Sequence, residues 1–186
     1  MLVGPDGLIG IYDKVHLTPR EARAFTPGSA FAVFPTQVGR IGMLVCWDMQ
    51  FPEAPREVAL AGADIIACPT LGWEPIYGRC RAYENGIPLA VAMYIPCDRD
   101  LWEGCDPSCI VDGLGRYLAV GSRTGPGIVS AELELPHEPP SQYGLAEATG
   151  VTSMREIRMA GRRPDAYRLS AAAHPPVLDR YRGDAS

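Results

Sequence analysis

The sequence predicts an α/β fold, in which buried strands alternate with helices along the chain. Short and almost wholly apolar runs, of the kind found in strands buried on both faces, recur at residues 38–45, 64–68 and 88–95. Between these runs, residues 52–62 carry helix signals, with a proline in the first turn and a closing glycine, and residues 78–86 are predicted to be a short helix. The middle of the chain is therefore predicted to be a repeated strand–helix unit.

Both flanks of this unit are predicted to be strands joined by turns. Residues 2–3 and 8–15 indicate a hairpin, because Gly4-Pro5-Asp6-Gly7 supplies the turn dihedrals, and a helical turn is expected at 20–25. Further strands bounded by turn residues are predicted at 31–34, 108–111, 116–120 and 127–134, with 112–115 as a hairpin connection. These later strands give the α/β class an α+β end, and a tail rich in proline and polar residues follows from Pro136 onward.

Composition indicates one folded domain and excludes several classes of partner. The 186 residues are 47% hydrophobic and 21% charged, with a net charge of −5, which argues against nucleic acid or an anionic membrane as a partner. No apolar run approaches the roughly 20 residues that span a bilayer, and no secretory layout begins the chain, so we expect a cytoplasmic protein. The basic cluster at 155–163 is typical of a solvated or subunit-contacting segment.

The six cysteines, at positions 46, 68, 80, 97, 105 and 109, are too scattered for a disulfide framework in a chain of this size. Cys105 and Cys109 have loose metal-ligand spacing, but no second Cys/His pair stands nearby to complete a zinc site. Cys46 differs, because it ends a predicted buried strand just before a turn into a helix. Backbone N–H groups at such a turn lower a thiol pKa and can stabilise an oxyanion. The alternative is a cysteine that only packs in the core.

Lys14 is the second candidate for a catalytic role. It emerges near the end of the predicted strand 8–15, and a lysine in a partly desolvated pocket can hold a developing negative charge or donate a proton. It would also favour a thiolate nearby. On its own, a strand lysine is usually a surface residue, so its significance depends on Cys46.

The two candidates stand in motifs that resemble those of the nitrilase, or carbon-nitrogen hydrolase, superfamily. These motifs are Tyr12-x-Lys14-x-His16-Leu17 and Cys46-Trp47-Asp48-x-x-Phe51-Pro52-Glu53. Further matches occur in family order at 21–28, at Arg81-Ala82-x-Glu84-Asn85 and at Arg162-Arg163-Pro164-Asp165-x-Tyr167. The resemblance covers residues 2–167, which makes it more specific than any single motif.

The resemblance implies a Glu-Lys-Cys catalytic triad, with Cys46 as the nucleophile and Lys14 as the lysine. The backbone N–H of Trp47 would join Lys14 in stabilising the tetrahedral intermediate. Glu21 aligns with a second glutamate of the family that fixes the lysine and assists catalysis; the alternative is a solvated carboxylate at a helix end.

The remaining expectations concern the walls and supports of the site. Thr70 and Trp73 match positions where family members place substrate-pocket residues, although an aromatic side chain there is core or subunit contact about as often. Glu84 is expected to support the site or its helix, and His16 to be a hydrogen-bonded structural histidine.

The resemblance also implies that the family's proton-shuttling glutamate belongs to a region before Met1. We therefore expect residues 1–167 to be an N-terminally truncated carbon-nitrogen hydrolase domain, part of a four-layer α-β-β-α sandwich, and 168–186 to be a tail. A positioned carboxylate contributes about 10²- to 10⁴-fold in rate, so this chain alone is expected to be a poor hydrolase. Open sheet edges are expected as well.

The function expected from the resemblance is hydrolysis of a linear amide, an N-carbamoyl amine or a nitrile through a cysteine thioester, in a homo-oligomer without metal or organic cofactor. Trp47-Asp48 favours amides and carbamoyl compounds over nitriles. One alternative is a non-catalytic subunit that associates with a complete homologue. Another is an acyltransferase, in which an amine captures the same thioester.

Overall fold

The structure, a computed structural model, describes residues 1–94 and 105–180. Its strands are β1 Leu2–Gly4, β2 Gly7–Gly10, β3 Ala32–Thr36, β4 Gly39–Met43, β5 Ile65–Thr70, β6 Leu89–Met93, β7 Cys109–Val111 and β8 Tyr117–Val120. Its helices are α1 Glu53–Leu60, α2 Pro75–Asn85, α3 Leu145–Thr149 and α4 Met154–Ala160. Short 3₁₀ helices lie at Glu21–Arg23, Cys46–Gln50, Pro164–Ala166 and Pro176–Arg180.

Six strands form one mixed sheet in the order β3-β4-β5-β6-β7-β8, and β1 pairs with β2 in a separate hairpin. The central strands β4, β5 and β6 are parallel and are connected through α1 and α2. The outer pairs β3–β4, β6–β7 and β7–β8 are antiparallel. The predicted α/β class, with a strand–helix unit in the middle and antiparallel strands at its end, is therefore confirmed.

Local sequence explains where the two central helices begin and end. Glu53 lies in the first turn of α1, directly after Pro52, and Gly62 follows the helix with a φ of 85°. In α2, Pro75 occupies the first turn, and Gly86 ends the helix with a φ of 61°. Proline is tolerated where the helix N–H groups lack partners, and glycine adopts the left-handed conformation that a helix end requires.

The core lies between these helices and one face of the sheet. Gly42 of β4 sits opposite Val58 of α1 so closely that a Cβ at Gly42 would lie 3.1 Å from the Val58 Cβ. Ile66 is the register partner of Gly42 and is fully buried, as are Leu44 and Leu89. The opposite face carries smaller or less buried side chains, namely Ala67, Pro69, Ala90, Ala92 and Ile110.

Several predicted boundaries were wrong. The strand expected at 8–15 ends at Gly10, so Lys14 lies in an irregular segment after β2, and the strand expected to reach Val45 ends at Met43. Residues 127–134 form no strand, although their apolar residues alternate. Ile128 in this segment is 98% exposed, and without a neighbouring strand its backbone has no ladder to join. The end of the strand predicted at 88–95, Ile95, lies outside the described residues.

The tail after Pro136 contains more structure than its composition indicates. Helix α4 begins at Ser153, whose hydroxyl accepts the Glu156 N–H at 3.2 Å. A serine followed three residues later by glutamate is a known helix start, and the high proline content nearby obscured it. Among the described residues, no helix combines the length and apolar character needed to cross a membrane.

Candidate active site

Cys46 begins the 3₁₀ helix that follows β4 and is partly buried. Its φ is 48°, and Tyr143 is the only other non-glycine residue in the described chain with a positive φ. A residue other than glycine in the left-handed region costs about 1–3 kcal/mol and persists only when its surroundings enforce it. The turn therefore holds the thiol in a strained, fixed orientation at the end of the sheet.

Trp47 follows Cys46 in the first turn of this helix, where N–H groups have no acceptor within the helix itself. The Asp48 N–H, one residue later, returns to the Val45 carbonyl at 3.1 Å. Trp47 is partly buried. The role of its backbone N–H as an oxyanion donor remains a prediction.

Asp48 connects the cysteine turn to the segment that carries Lys14. Its side chain is fully buried. The Tyr12 hydroxyl donates to Asp48 Oδ2 at 2.8 Å and the His16 N–H donates to Oδ1 at 2.8 Å, while the Val45 N–H donates to Oδ2 at 2.9 Å. His16 Nδ1 lies 3.1 Å from Oδ1. One carboxylate thus bonds to residues on both sides of Lys14 and to the residue just before Cys46.

Lys14 forms a two-pronged ion pair with Glu21. Its Nζ lies 2.8 Å from Oε1 and 2.7 Å from Oε2, and the lysine side chain is 11% exposed. Glu21 also accepts the Thr18 N–H at 2.7 Å. Partial burial acts to raise the pKa of Glu21, but the bonds from Lys14 and Thr18 outweigh it and hold the pKa below its ordinary value. Glu21 is therefore ionised at neutral pH.

Gly28, the last residue of the predicted match at 21–28, contacts the lysine backbone. The Gly28 N–H donates to the Lys14 carbonyl at 2.8 Å. A Cβ at Gly28 would lie 2.1 Å from the Asp13 carbonyl oxygen. The lysine backbone is thus held from this side as well, at a distance that only glycine permits.

His16 is the hydrogen-bonded structural histidine that the sequence predicts. Its ring stacks on Phe51, with centroids 3.8 Å apart and planes 10° apart, and Phe31 lies beside it at 5.8 Å. Because a carboxylate only accepts hydrogen bonds, the bond to Asp48 requires the proton on Nδ1. Phe51 follows the cysteine helix, so this stack is a second contact between the two motifs.

Glu84 pairs with Arg81, and both residues lie on α2. Arg81 Nε lies 3.4 Å from the Met49 carbonyl and Nη2 lies 3.4 Å from the Gln50 carbonyl, while Nη1 pairs with Glu84 Oε1 at 3.2 Å. The guanidinium thus bonds to the carbonyls that end the helix begun by Cys46, where a cation is favoured. The supporting role expected for Glu84 remains a prediction.

Thr70 and Trp73 occupy the loop after β5. The Thr70 hydroxyl donates to the Gly72 carbonyl at 2.7 Å and is buried. Trp73 is fully buried, packs edge-on against Tyr77 and leaves no room for a Cβ at Gly78. The structure places this indole in the core, which was the alternative for an aromatic residue here. Substrate contact by either residue remains a prediction.

A second thiol, Cys68 of β5, lies behind Cys46. It is 1% exposed. Burial raises the pKa of the Cys68 thiol to about 12, with a smaller opposing effect from the backbone N–H of Cys46. Cys68 is therefore a neutral thiol beside the candidate nucleophile. Within the described ranges, no three His, Cys, Asp or Glu side chains are grouped so that they could hold a metal ion.

Tyr12 and Asp48 lie inside the two motifs, but the sequence alone assigned neither residue a role. The available signal was their spacing, since Tyr12 and His16 flank Lys14 symmetrically and Asp48 stands two residues after Cys46. The hydrogen bonds to Asp48 could not be predicted from local sequence, because the bonded pairs are 36 and 32 residues apart.

Comparison with known proteins gives a consistent result. A family model described as carbon-nitrogen hydrolase matches residues 1–137. A probable nitrilase of Schizosaccharomyces pombe is 35% identical over 133 residues, which cover 68% of this chain and 48% of that protein. Other relatives are named as amidases and as N-carbamoylputrescine amidases. The chain spans about half the length of the first relatives it matches.

Solved structures agree with the sequence comparison. A carbon-nitrogen hydrolase from Helicobacter pylori G27 superposes with a TM-score of 0.67 at 29% identity, covering 86% of this chain and 60% of that one. An amidase from Nesterenkonia sp. AN1, in a variant showing Michael addition of acrylamide at its active-site cysteine, superposes with a TM-score of 0.56 at 33% identity. That match covers 66% of this chain and 51% of the amidase.

Proposed function

Because this chain belongs to the carbon-nitrogen hydrolase family, we propose that it carries the cysteine and lysine of a site that hydrolyses a non-peptide carbon–nitrogen bond, with Cys46 as the nucleophile. One observation carries the proposal. The buried carboxylate of Asp48 bonds to Tyr12 and His16, on either side of Lys14, while standing two residues after Cys46. A strained cysteine and a partly desolvated lysine thus belong to one rigid unit.

In the proposed reaction, the sulfur of Cys46 attacks the carbon of an amide and its thiol proton passes to a base. The oxyanion that forms is stabilised by the Lys14 ammonium and the Trp47 N–H. Collapse of the intermediate expels ammonia or an amine and leaves a thioester, which water then hydrolyses to a carboxylic acid and the free thiol. A nitrile would react by the same attack through a thioimidate.

Glu21 is proposed to fix Lys14 and keep it charged. Both oxygens of Glu21 are engaged by the lysine Nζ, at 2.8 and 2.7 Å. A carboxylate held in this way is poorly placed to take a proton from the thiol, so the general base is a different group. We propose that, as in the family, another glutamate of the complete protein supplies it, and that this chain alone is an impaired hydrolase.

Linear amides and N-carbamoyl amines are the proposed substrate class. Support comes from relatives whose names describe amidases and N-carbamoylputrescine amidases and from the structural match to an amidase. Thr70 is proposed to line the substrate pocket. Trp73 is proposed to shape the wall of the pocket from the core side, because its ring is buried.

Ammonia release from a panel of linear amides, N-carbamoyl amines and nitriles tests the proposal. The assay is made on the 186-residue chain and on any longer product of the same reading frame, with Cys46→Ala as the comparison. Mass spectrometry of the quenched reaction should find the acyl group on Cys46. If Cys46→Ala retains full activity, or if the acyl group resides elsewhere, Cys46 is not the nucleophile.

Exposed apolar side chains favour a second candidate function, that of a subunit associating with another copy or with a complete homologue. Val3 and Leu8 of the β1–β2 hairpin are 64% and 58% exposed, and Val38 in the β3–β4 turn is 72% exposed. These segments line a shared groove, and such apolar surface commonly marks an interface. Size-exclusion chromatography with light scattering decides: a protein that stays strictly monomeric, alone and with its homologue, contradicts this candidate and the expected homo-oligomer.

The acyltransferase alternative shares the thioester and differs only in the acceptor. Adding hydroxylamine during turnover separates the two reactions. A transferase forms hydroxamate at the expense of the acid, whereas a hydrolase forms mainly the acid.

A further inference from the structure

We infer that Asp48 is a positioning residue for the proposed reaction, because its buried carboxylate fixes the Lys14 segment against the Cys46 turn. This inference rests on the proposed function to the extent that Cys46 and Lys14 act on one substrate. Asp48 has no part in the Glu-Lys-Cys triad. Its effect on the position of Lys14 can be measured without turnover.

Asp48 has hydrogen-bond partners on both the lysine side and the cysteine side. On the lysine side, Tyr12 OH donates at 2.8 Å and the His16 N–H donates at 2.8 Å, so the residues two before and two after Lys14 are both held. On the cysteine side, the Val45 N–H donates at 2.9 Å, directly before Cys46. The Tyr12 side chain and the His16 backbone are thus both tied to Asp48, which restricts the segment that carries the lysine.

Burial makes these bonds strong and costly to lose. Asp48 is fully buried and makes no ion pair with a lysine or arginine in the described chain, so its charge depends on the hydrogen bonds it accepts. Tyr12 is also buried, and burial together with the Asp48 carboxylate raises the pKa of its phenol above the ordinary value. The phenol therefore remains a donor throughout the pH range in which the enzyme would work.

Asp48 is poorly placed to be the general base itself. Oδ1 accepts from the His16 N–H and faces His16 Nδ1, and Oδ2 accepts from Tyr12 and from the Val45 N–H. Each oxygen thus has two partners, and no lone pair is left to take a proton from Cys46. A carboxylate with this pattern orients its surroundings.

The test compares how fast Cys46 reacts with iodoacetate, an anion, and with iodoacetamide, a neutral reagent of similar size. The same thiolate attacks the carbon of either reagent and displaces iodide, so the ratio of the two rates cancels the ionised fraction and the accessibility of the thiol. The ratio reports the charge beside the sulfur. Rates are followed on the Cys46 peptide by mass spectrometry, with the exposed Cys80 as an internal reference.

Lys14→Met is made in the native background and in an Asp48→Asn background. In the native protein, Lys14→Met should lower the iodoacetate to iodoacetamide ratio about threefold, because it removes a cation and leaves Glu21 without its partner. In the Asp48→Asn background the same change should leave the ratio unchanged, because the lysine is no longer held near the thiol. A lysine effect that is undiminished by Asp48→Asn, or absent from the native protein, overturns the inference.

A milder pair of variants keeps the test decisive if Asp48→Asn disturbs folding, which would show as labelling of the buried Cys68 and Cys109. Tyr12→Phe removes the phenol's bond to Asp48 and the longer bond that the phenol accepts from the Val15 N–H at 3.4 Å, while Asp48 keeps its bond from the His16 N–H, and it should reduce the Lys14→Met effect. Tyr117→Phe is its matched control, since it removes another tyrosine-to-carboxylate bond, at 2.5 Å to Asp106 and in β8. Tyr117→Phe should leave the Lys14→Met effect intact. If Tyr12→Phe leaves it intact as well, Asp48 does not position Lys14.

The two proposals fail separately. A Lys14-dependent ratio that requires Asp48, combined with no acyl group on Cys46 and no hydrolysis by this chain or by any longer product of its reading frame, overturns the proposed function and leaves the positioning role standing. Hydrolysis through Cys46 combined with a lysine effect that ignores Asp48 does the reverse.

Discussion

Backbone proximity constrains individual residues around the lysine in addition to the side-chain hydrogen bonds. Gly28 shows this, because its N–H donates to the Lys14 carbonyl at 2.8 Å and its Cα faces the Asp13 carbonyl. Cys46 shows the complementary case, in which a side chain with a function keeps a φ of 48° that suits glycine better. At Gly28 the neighbouring backbone leaves no room for a side chain. At Cys46 the surroundings hold the strained backbone conformation that places the thiol.

Gly28→Ala is therefore expected to lower the free energy of unfolding by about 1–3 kcal/mol, since a Cβ 2.1 Å from a backbone oxygen can be accommodated only by moving the backbone. The movement should displace Lys14 and weaken its effect on Cys46. Urea denaturation measures the first effect, and the alkylation ratio measures the second. Gly127→Ala is the control, because a Cβ there has no neighbour within 4 Å. Equal stability of the two variants would contradict this account of Gly28.

At the scale of elements, the basic cluster near the C-terminus proves to be a set of helix-end contacts. Arg155 of α4 donates to the Ala63 carbonyl at 2.7 Å, just past α1, and Arg158 donates to the Tyr83 carbonyl near the end of α2. Arg56 of α1 donates to the Glu84 carbonyl at 3.1 Å. Carbonyls at a helix C-terminus lack helical partners and carry partial negative charge, so guanidinium groups stabilise them. Composition had indicated a solvated or subunit-contacting segment.

Arg155→Ala is expected to lower the free energy of unfolding by about 1–2 kcal/mol, because α4 loses its bond to the end of α1 and the Ala63 carbonyl loses a charged donor. Thermal denaturation of the variant measures the loss. Arg163→Ala provides the comparison, since its side chain is exposed and makes no hydrogen bond or ion pair with a described residue. Loss of the same size in both variants would mean that α4 contributes through net charge alone.

At the scale of the whole molecule, two buried thiols report on the integrity of the core. Cys68 and Cys109 are each 1% exposed, on strands two apart in the sheet. Burial raises the pKa of each thiol from 9.0 to about 12. The folded state thus keeps two protons that the unfolded chain releases above pH 9, so their contribution to stability is complete below that pH and is lost as the pH rises toward 12.

Replacing both cysteines by alanine should flatten the alkaline side of the stability profile. Between pH 9 and pH 11 the native protein should lose stability faster than the double variant, by up to about 1.4 kcal/mol per pH unit for each thiol. Urea denaturation across this range measures the difference, and the tyrosines, present in both proteins, cancel. Parallel profiles would show that neither thiol is held in its neutral form by the fold.

Much of the molecule followed from local patterns. The apolar runs and helix signals predicted β4 to β6 with α1 and α2 in the right order, because apolar runs and signals such as Pro52 and Gly62 act over a few residues, although α2 begins at Pro75 and not at the predicted residue 78. The strand predicted at 127–134 was wrong, because alternation of apolar residues is also a local pattern. It does not show whether a neighbouring strand is present to pair with the segment. The boundary between a domain at 1–167 and a tail at 168–186 remains a prediction.

For the site, the sequence by itself determined which chemistry the chain carries: a cysteine at the end of a strand, a lysine in a spaced motif and the family to which both motifs point. Only the tertiary structure decided how they are held. Lys14 proved to be in an irregular segment, paired with Glu21, and the link to Cys46 runs through Asp48 to Tyr12 and His16. The physical reason is that hydrogen bonds to a buried carboxylate join segments more than 30 residues apart, and such contacts leave no mark on local periodicity or turn preference.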